Sequence, residues 1–432
     1  MLQNASLRTS RHEPIATART RALAGLSGIA RRRRAPAPPR VLFYSHDSFG
    51  LGHIRRTLSL CDAVRRRYDD ASLLVLTGSS AVSSLPMPTG VDWVKLPCVT
   101  KSDDGEYRSR YLPIGFDAVR AVRREIIYSA AQAYRPSLMF VDNVPLGLKG
   151  ELRRTLESVR RWNPDVRVVL TLRDILDDPR RTIDTWKREG TAESIERFYD
   201  DVVVYGSPDV FDFVREYELP QALAARCHYA GYIRREPQGN VPELKARLAP
   251  AGERLVLVTV GGGGDGHRLI HEYLAGLDGA GPAGIGTHVR SLVVCGPEMA
   301  AAERQQIRTR YAHRHDISII DFTPDLVTTM AAADVVVGMG GYNTICEILS
   351  LAKPAVIMPR TRPRLEQWIR CSRLADLGLL RVVDPEGDAA AALVEAVRAA
   401  LQAPPPETSR LDLSGLSTLD RLLPAFVEAP CR

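Results

Sequence analysis

Short apolar runs recur along the chain and alternate with segments in which apolar residues repeat every three or four positions. The first run, 40–45, precedes the segment 54–68, where Leu58, Cys61 and Val64 share one helical face opposite several arginines. Other segments of the first half predict further strands and helices: 73–77, 91–96, 138–141, 166–171 and 202–205 as strands, 116–134 and 151–162 as helices. Strands that are apolar throughout and alternate with helices indicate a parallel sheet covered on both faces.

The same alternation begins again after a polar stretch, 231–242, whose glycines and prolines suit a linker between domains. The later apolar runs are again short: 255–260, 291–295, 317–320, 335–338, 355–358 and 380–383. We therefore predict an α/β protein with two doubly wound, Rossmann-like domains, at 40–235 and 236–403, that face a cleft. Because ligands of such sheets bind outside the carboxyl ends of the strands, the cleft is the expected site.

Two flanking segments and one internal segment complete the predicted organisation. Residues 98–113 are polar and predict a loop. Residues 404–432 form a C-terminal tail, for which a helix packing back on the N-terminal domain is one option. Residues 1–39 lack any apolar periodicity and predict a disordered basic tail.

The net charge of +7 belongs to that N-terminal tail. The first 40 residues hold nine arginines and one glutamate, so the remainder of the chain is close to neutral. The arginine run 31–34 leaves two alternatives open: contact with an anionic membrane surface or nucleic acid, or a solvated extension without function. The folded body gives no reason to expect specific nucleic-acid binding.

The compartment is also constrained by the sequence. No apolar run approaches the roughly 18 residues that indicate a membrane-spanning helix. The seven cysteines are scattered and include no Cys-x-x-Cys pair, which argues against a disulfide framework and a zinc site. We expect a cytoplasmic protein, with peripheral membrane contact as an option.

The first candidate loop, 46–53, ends at the start of the predicted helix 54–68. Gly50 and Gly52 allow a ligand to approach the backbone closely. His53 has an ordinary pKa near neutrality, which suits removal of a proton from a hydroxyl group. A histidine at a helix start can equally make a structural hydrogen bond, and the sequence leaves both interpretations open.

The second candidate loop, 261–267, contains four consecutive glycines after an apolar strand. It lacks the Lys-Ser/Thr pair of a P-loop and the Gly-x-Gly-x-x-Gly spacing of a dinucleotide fingerprint. Consecutive glycines indicate either close approach of a ligand or a turn with positive φ angles. We favour the ligand because the loop joins a buried strand to a predicted helix.

The third candidate segment, 334–347, is a strand that ends in a glycine turn and opens a helix. The unpaired N–H groups of a helix start suit a phosphate or diphosphate. Glu347 follows one turn later, where it can accept hydrogen bonds from the sugar hydroxyls of a nucleotide. After the next strand, Glu366 and Gln367 begin another predicted helix and suit hydroxyl recognition as well.

Taken in this order, Gly-x-Gly-His, the glycine loop, Gly-x-x-Thr-x-x-Glu and Pro…Gln resemble the MurG-like family 28 glycosyltransferases over about residues 40–400. The resemblance implies the GT-B fold and an inverting, metal-independent transfer of a sugar, a hexose or HexNAc, from a nucleotide-diphosphate donor. The nucleotide sugar would be a substrate, so neither a cofactor nor a metal is expected. The chain is most similar to an uncharacterised branch of such predicted transferases.

The resemblance also assigns the donor residues. Glu347 would hold the ribose, and Glu366 with Gln367 the donor sugar. An arginine after the last N-domain strand would bind phosphate, and Arg234 and Arg235 both fit. The backbone around two turns would hold the diphosphate, namely Gly262, Gly263 and Gly264 in one turn and Gly341, Tyr342, Asn343 and Thr344 in the other.

The acceptor side departs from the family, because Leu172-Arg173-Asp174 stands where an acceptor loop His-Glu-x-Asn is expected. The acceptor, lipid-linked or a small molecule, is therefore not identified. We place Gly50, Gly52 and Arg173 in the acceptor loop. The candidates for the base are His53, Asp174 and Asp142. A UDP-GlcNAc 2-epimerase-like enzyme and a non-catalytic regulator that binds nucleotide sugars are the alternatives.

Overall fold

The computed structural model describes residues 38–46, 52–80, 82–101, 106–280 and 284–428. Gly50, the last four residues and nearly all of the basic tail lie outside these ranges. None of the helices in the described ranges is long and apolar enough to cross a membrane.

The N-terminal half is built from short strands and the helices that cover them. Its strands are β1 (Arg40–Ser45), β2 (Ser72–Thr77), β3 (Val91–Lys95), β4 (Val99–Lys101), β5 (Tyr107–Ser109), β6 (Leu138–Asp142), β7 (Arg167–Arg173), β8 (Asp201–Tyr205) and β9 (Cys227–Tyr229). Its helices are α1 (Gly52–Arg67), α2 (Phe116–Tyr134), α3 (Arg153–Trp162), α4 (Pro179–Glu189), α5 (Thr191–Phe198), α6 (Phe213–Glu216) and α7 (Gln221–Ala224).

The C-terminal half repeats the alternation. Its strands are β10 (Arg254–Thr259), β11 (Val289–Val294), β12 (Ile317–Ile320), β13 (Val335–Gly338), β14 (Ala355–Ile357) and β15 (Arg381–Val382). Its helices are α8 (Val241–Leu248), α9 (His267–Gly279), α10 (Ala301–Tyr311), α11 (Leu326–Ala332), α12 (Tyr342–Ser350), α13 (Glu366–Asp376), α14 (Ala389–Gln402) and α15 (Gly415–Val427).

Both sheets are parallel and have the strand order of a doubly wound fold. The first runs β3-β2-β1-β6-β7-β8-β9 and the second β12-β11-β10-β13-β14-β15. In each sheet the order reverses beside its first strand, between β1 and β6 and between β10 and β13. Ligands of such sheets bind in the crevice at this reversal. The prediction of two doubly wound α/β domains is confirmed.

The central strands are apolar because helices cover both faces of each sheet. Every residue of β6 and of β8 is buried, and α1 turns Leu58, Cys61 and Val64 toward the sheet as its periodicity predicts. The last helix, α15, packs against α1 and places Phe426 beside the ring of Phe140.

The prediction of a loop over 98–113 was wrong in part, because β4 and β5 pair as an antiparallel hairpin within it. Three-residue strands are too short to show an alternating pattern above a polar background. The helix α4 was missed as well, although its start is marked in the sequence. Pro179 stands in the first turn, and the Asp178 side chain accepts from the N–H of Arg181.

Candidate functional site

The carboxyl ends of β1 and β6 bring His53 and Asp142 together. His53 lies in the first turn of α1, and its Nδ1 is 2.5 Å from Oδ2 of Asp142. The other carboxylate oxygen of Asp142 accepts from Arg56. Nε2 of His53 lies 2.7 Å from Nη2 of Arg173. Because a guanidinium only donates, Nε2 must accept, and the proton on Nδ1 is assigned to the bond with Asp142.

The electrostatics keep this histidine neutral and the carboxylate charged. Burial lowers the pKa of His53 to about 4, although Asp142 favours the protonated form. Burial opposes ionisation of Asp142, but Arg56 and His53 outweigh it and hold the pKa of that carboxyl well below its ordinary value. The nearby ring of His46 is also neutral, since burial lowers its pKa to about 3. A neutral imidazole oriented by a carboxylate is the arrangement of a general base.

Asp174, the other predicted base, is occupied elsewhere. Its two carboxylate oxygens accept from Nη2 and Nε of Arg370, both at 2.7 Å, and the hydroxyl of Tyr232 donates to Oδ2 at 3.0 Å. Arg370 also donates to the carbonyl of Gly340 at 2.8 Å. This buried ion pair ties the end of β7 to α13. The structure thus groups His53 with Asp142 and places Asp174 in a contact between the two halves.

A cavity lies at the reversal of the second sheet, between β10 and β13. It is lined by Arg55, Thr259, Gly261, Val294, Gly296, Phe322, Thr323, Leu326, Asn343, Thr344 and Glu347. The helix α12 begins at this cavity, and no side chain caps its N-terminus. Its first N–H groups are therefore placed as an anion site requires.

Glu347 is buried at the base of this cavity, with 3% of its surface exposed. Burial raises its pKa, and the positive charges of Arg55 and Arg235 partly offset that effect. Nη1 of Arg55 is 3.7 Å from Oε1 of Glu347. Among the described residues this is the one polar contact of the Glu347 carboxylate, so its oxygens are placed to accept hydrogen bonds from hydroxyl groups of a ligand.

The glycine loop, 261–267, both packs against the neighbouring loop and lines the cavity. Gly263 has a φ of +91°, and a Cβ there would lie 2.3 Å from the carbonyl oxygen of Cys295. Gly261 has a φ of +64° and open space beside it, and it lines the cavity. Of the glycines in this loop, Gly261 lines the cavity, and Gly262 and Gly263 pack against the loop after β11. Gly264 is exposed.

The structure also separates the two candidate arginines. The backbone N–H of Arg235 donates to Oγ of Ser350 at 2.9 Å and its side chain to Oγ of Ser59 at 2.5 Å. The charge of Arg235 acts on Glu347. Arg234 is exposed and faces a groove beside Leu413. Of the two, Arg235 lies on the side of Glu347.

Glu366 and Gln367 are both buried at the start of α13. Arg360 connects them, since its Nη2 donates to Oε1 of Glu366 at 2.8 Å and its backbone N–H to Oε1 of Gln367 at 3.1 Å. Arg360 also reaches Asp265 at 2.5 Å. Within the described residues Oε2 of Glu366 has no hydrogen-bond partner. That oxygen is available to a sugar hydroxyl.

Asn343 and Tyr342, two residues predicted to contact the sugar donor, connect the two halves of the protein. The Asn343 side chain donates to the carbonyl of Gly52 at 3.2 Å. The guanidinium groups of Arg56 and Arg370 both lie over the buried ring of Tyr342, each 5.8 Å from its centre. Only the backbone of Tyr342 is thus placed to contact a donor.

The sequence did not identify Arg55, Arg56 or Phe322. The two arginines follow His53 within one helical turn, so their spacing could have placed them at the same site. Phe322 follows β12 and remains 46% exposed at the cavity, a position where an aromatic ring is available to a planar base. Among the described residues, no three His, Cys, Asp or Glu side chains are grouped as a metal site would require.

Comparisons with known proteins bear on the family and the fold. Residues 256–410 match the glycosyltransferase family 28 C-terminal domain. The UDP-N-acetylglucosamine–N-acetylmuramyl-(pentapeptide) pyrophosphoryl-undecaprenol N-acetylglucosamine transferase of Mannheimia succiniciproducens is 27% identical over 116 residues, which cover 23% of this chain and 32% of that protein. This chain therefore spans about a third of the length of that curated relative.

Two solved structures share the whole architecture. MurG of Acinetobacter baumannii superposes with a TM-score of 0.57 at 12% sequence identity. The alignment covers 90% of this chain and 100% of the MurG chain. A Listeria monocytogenes protein provisionally identified as a UDP-N-acetylglucosamine 2-epimerase has a TM-score of 0.59 at 11% identity, covering 92% of this chain and 98% of its own. At such identities the likeness shows the fold, which is the two-domain GT-B arrangement.

Proposed function

We propose that this chain is a glycosyltransferase that moves a hexose or HexNAc from a nucleotide-diphosphate sugar to an acceptor hydroxyl, with inversion and without a metal. One observation carries the proposal. A neutral histidine held by an ionised carboxylate lies at the reversal of one sheet, and a cavity with an open helix start lies at the reversal of the other. Asn343 and Gly52 join the two places directly.

The chain's own groups supply each part of the reaction. Nε2 of His53 takes the proton of the acceptor hydroxyl, and Asp142 stabilises the imidazolium that forms. The acceptor oxygen bonds to the anomeric carbon while the bond from that carbon to the diphosphate oxygen breaks. The electron pair leaves with the nucleoside diphosphate. The N–H groups at the start of α12 and the guanidinium of Arg235 stabilise that charge without a metal.

The donor is proposed to be a UDP-type sugar. Glu347 accepts hydrogen bonds from the ribose hydroxyls, and Phe322 stacks on the base. Glu366, through its unpartnered oxygen, and Gln367 contact the sugar. The acceptor is a lipid-linked or small molecule bound on the side of Arg173.

Replacing Glu347 with alanine tests the donor site. We expect UDP to bind about 10–100-fold more weakly, because a hydrogen-bonded charged group is worth roughly 1.5–3 kcal/mol. Calorimetric titration with UDP measures the effect, and the exposed Glu395→Ala in the same domain is the matched control. If the wild type and Glu347→Ala bind UDP with equal affinity, the assignment of Glu347 to the ribose is wrong.

The two neighbouring arginines give a second, internally controlled test. Arg235→Ala is expected to weaken UDP binding about tenfold, in line with loss of one charge-assisted phosphate contact. Arg234→Ala should bind UDP like the wild type, because its side chain faces away from the cavity. Uridine, which lacks phosphate, should not distinguish the two variants. A larger loss in Arg234→Ala than in Arg235→Ala contradicts the assignment.

The epimerase and regulator alternatives predict different products. An epimerase converts UDP-GlcNAc alone into a new sugar with no acceptor present, which NMR detects. A regulator binds the nucleotide sugar and turns over no acceptor. A transferase releases UDP only when an acceptor hydroxyl, or water at a low rate, is available.

A further inference from the structure

Arg173 differs from every arginine beside it in the cleft. Arg56 pairs with Asp142, Arg370 with Asp174, and Arg360 with Glu366 and Asp265. In the part of the chain that the structure describes, Arg173 has no carboxylate within ion-pair distance. The hydrogen bond recorded for its side chain goes to Nε2 of His53, a neutral acceptor.

The positive charge of Arg173 is only partly balanced by its surroundings. Two guanidinium groups, of Arg56 and Arg370, oppose its charge, while Asp142 and Glu366 favour it only from a distance, because neither forms an ion pair with it. Burial and these two arginines lower the pKa of Arg173 to about 10, so it is still charged at neutral pH. A half-buried cation without an ion-pair partner is unfavourable unless a ligand supplies the opposite charge at close range.

The position of this cation blocks the proposed base. Nη2 of Arg173 donates to the lone pair of His53 that has to receive the acceptor proton. A hydroxyl and a guanidinium cannot both donate to one nitrogen lone pair. An oxyanion is a stronger partner for a guanidinium than a neutral imidazole, and it can accept two N–H groups at once.

We propose that Arg173 is the receptor for an anionic group, a phosphate or a carboxylate, carried by a substrate beside the reacting hydroxyl, and that binding of this group draws Arg173 away and uncovers Nε2 of His53. The inference rests on the proposed function of the site. It makes the base available only when the anion is bound, which protects a bound donor from attack by water. The anion is either the donor diphosphate or a group on the acceptor.

His53 itself reports on the event. Among the residues that the structure describes, the charged and titratable groups that face it are Asp142 from β6, Arg56 from its own helix, Arg173 from β7 and His46 from the end of β1. Of these, Arg173 changes partner in the proposal. Its positive charge lowers the pKa of His53, so neutralising or withdrawing it raises that pKa.

The test is an NMR titration of the full chain labelled with ¹⁵N at histidine, with the His53 resonances assigned by their loss in His53→Gln. In the wild type, an anion should raise the titration midpoint of His53 by about one pH unit. Saturating UDP alone produces the shift if the donor diphosphate is the anion. Inorganic phosphate or acetate added to the UDP-saturated protein produces it if the acceptor supplies the anion.

Two variants and a control complete the test. In Arg173→Gln, His53 should titrate at higher pH from the start and respond to no anion. Arg173→Lys retains the charge, so the anion response should persist there, which excludes a folding defect as the cause. Arg373→Gln, at an exposed arginine, should behave like the wild type.

The inference is overturned if no anion moves His53 in the wild type, or if Arg173→Gln responds as the wild type does. The measurement requires no turnover, so it is separate from the proposed function. If the protein transfers no sugar but an anion still shifts the His53 titration through Arg173, the anion-receptor inference stands and the proposed transferase function is wrong.

Discussion

Replacing His53 with alanine is expected to lower turnover about 10²–10⁴-fold, the usual contribution of a positioned general base. UDP affinity should stay within about twofold, because the lost interaction is made to the acceptor proton and not to the donor. Steady-state transfer kinetics and UDP calorimetry measure the two quantities. His271→Ala, at a partly exposed histidine on α9, is the matched control and should be unchanged in both.

The pH dependence of the same reaction tests the protonation state of His53. The base works when neutral, so activity requires a pH above its pKa of about 4 in the free protein. The ratio kcat/KM should therefore be nearly constant from pH 6 upward and fall as pH approaches the pKa of His53 in the free protein. Asp142→Asn should lower turnover and leave UDP affinity unchanged, since it removes the carboxylate that stabilises the imidazolium. Full turnover in His53→Ala, or a loss confined to UDP binding, would contradict the base assignment.

The pairing of His53 with Asp142 follows from topology that the sequence could predict. Apolar runs separated by helical patterns imply parallel sheets, and in the doubly wound order the first and fourth major strands are neighbours. β1 and β6 are these strands, so the residues after them meet at the reversal. The same argument places Gly261 next to the start of α12. Local patterns thus predict the two places where chemistry is expected.

The role of Asp174 could not be predicted in this way. Its partner Arg370 lies 196 positions later in the chain, on the other domain, and no local pattern links the two. The positions of Arg234 and Arg235 were equally undetermined, because adjacent residues in an irregular linker have no periodicity to say which one faces inward. Side-chain partners across a cleft depend on how two folded domains meet. Sequence periodicity describes only how each domain folds.

The contact of Asp174 with Arg370 leads to the second large effect. Replacing Arg370 with alanine is expected to lower the free energy of unfolding by about 3–5 kcal/mol, because it leaves a fully buried carboxylate without its partner. Asp174→Ala should lower the free energy of unfolding by a similar amount, because it leaves the buried guanidinium of Arg370 without its carboxylate partner. Chemical denaturation monitored by circular dichroism measures both values, provided that the two domains unfold together.

Two further variants separate the loss of an ion pair from a general packing defect. The double variant Asp174→Leu with Arg370→Met removes both charges and should recover most of the stability, because buried pairs can often be replaced by apolar residues. Arg373→Ala breaks an exposed contact with Glu216 and should cost less than about 1 kcal/mol. If Arg370→Ala is no more harmful than Arg373→Ala, the buried pair does not hold the domains together. Asp174 would then be free to serve as a base, and the His53→Ala result would decide between them.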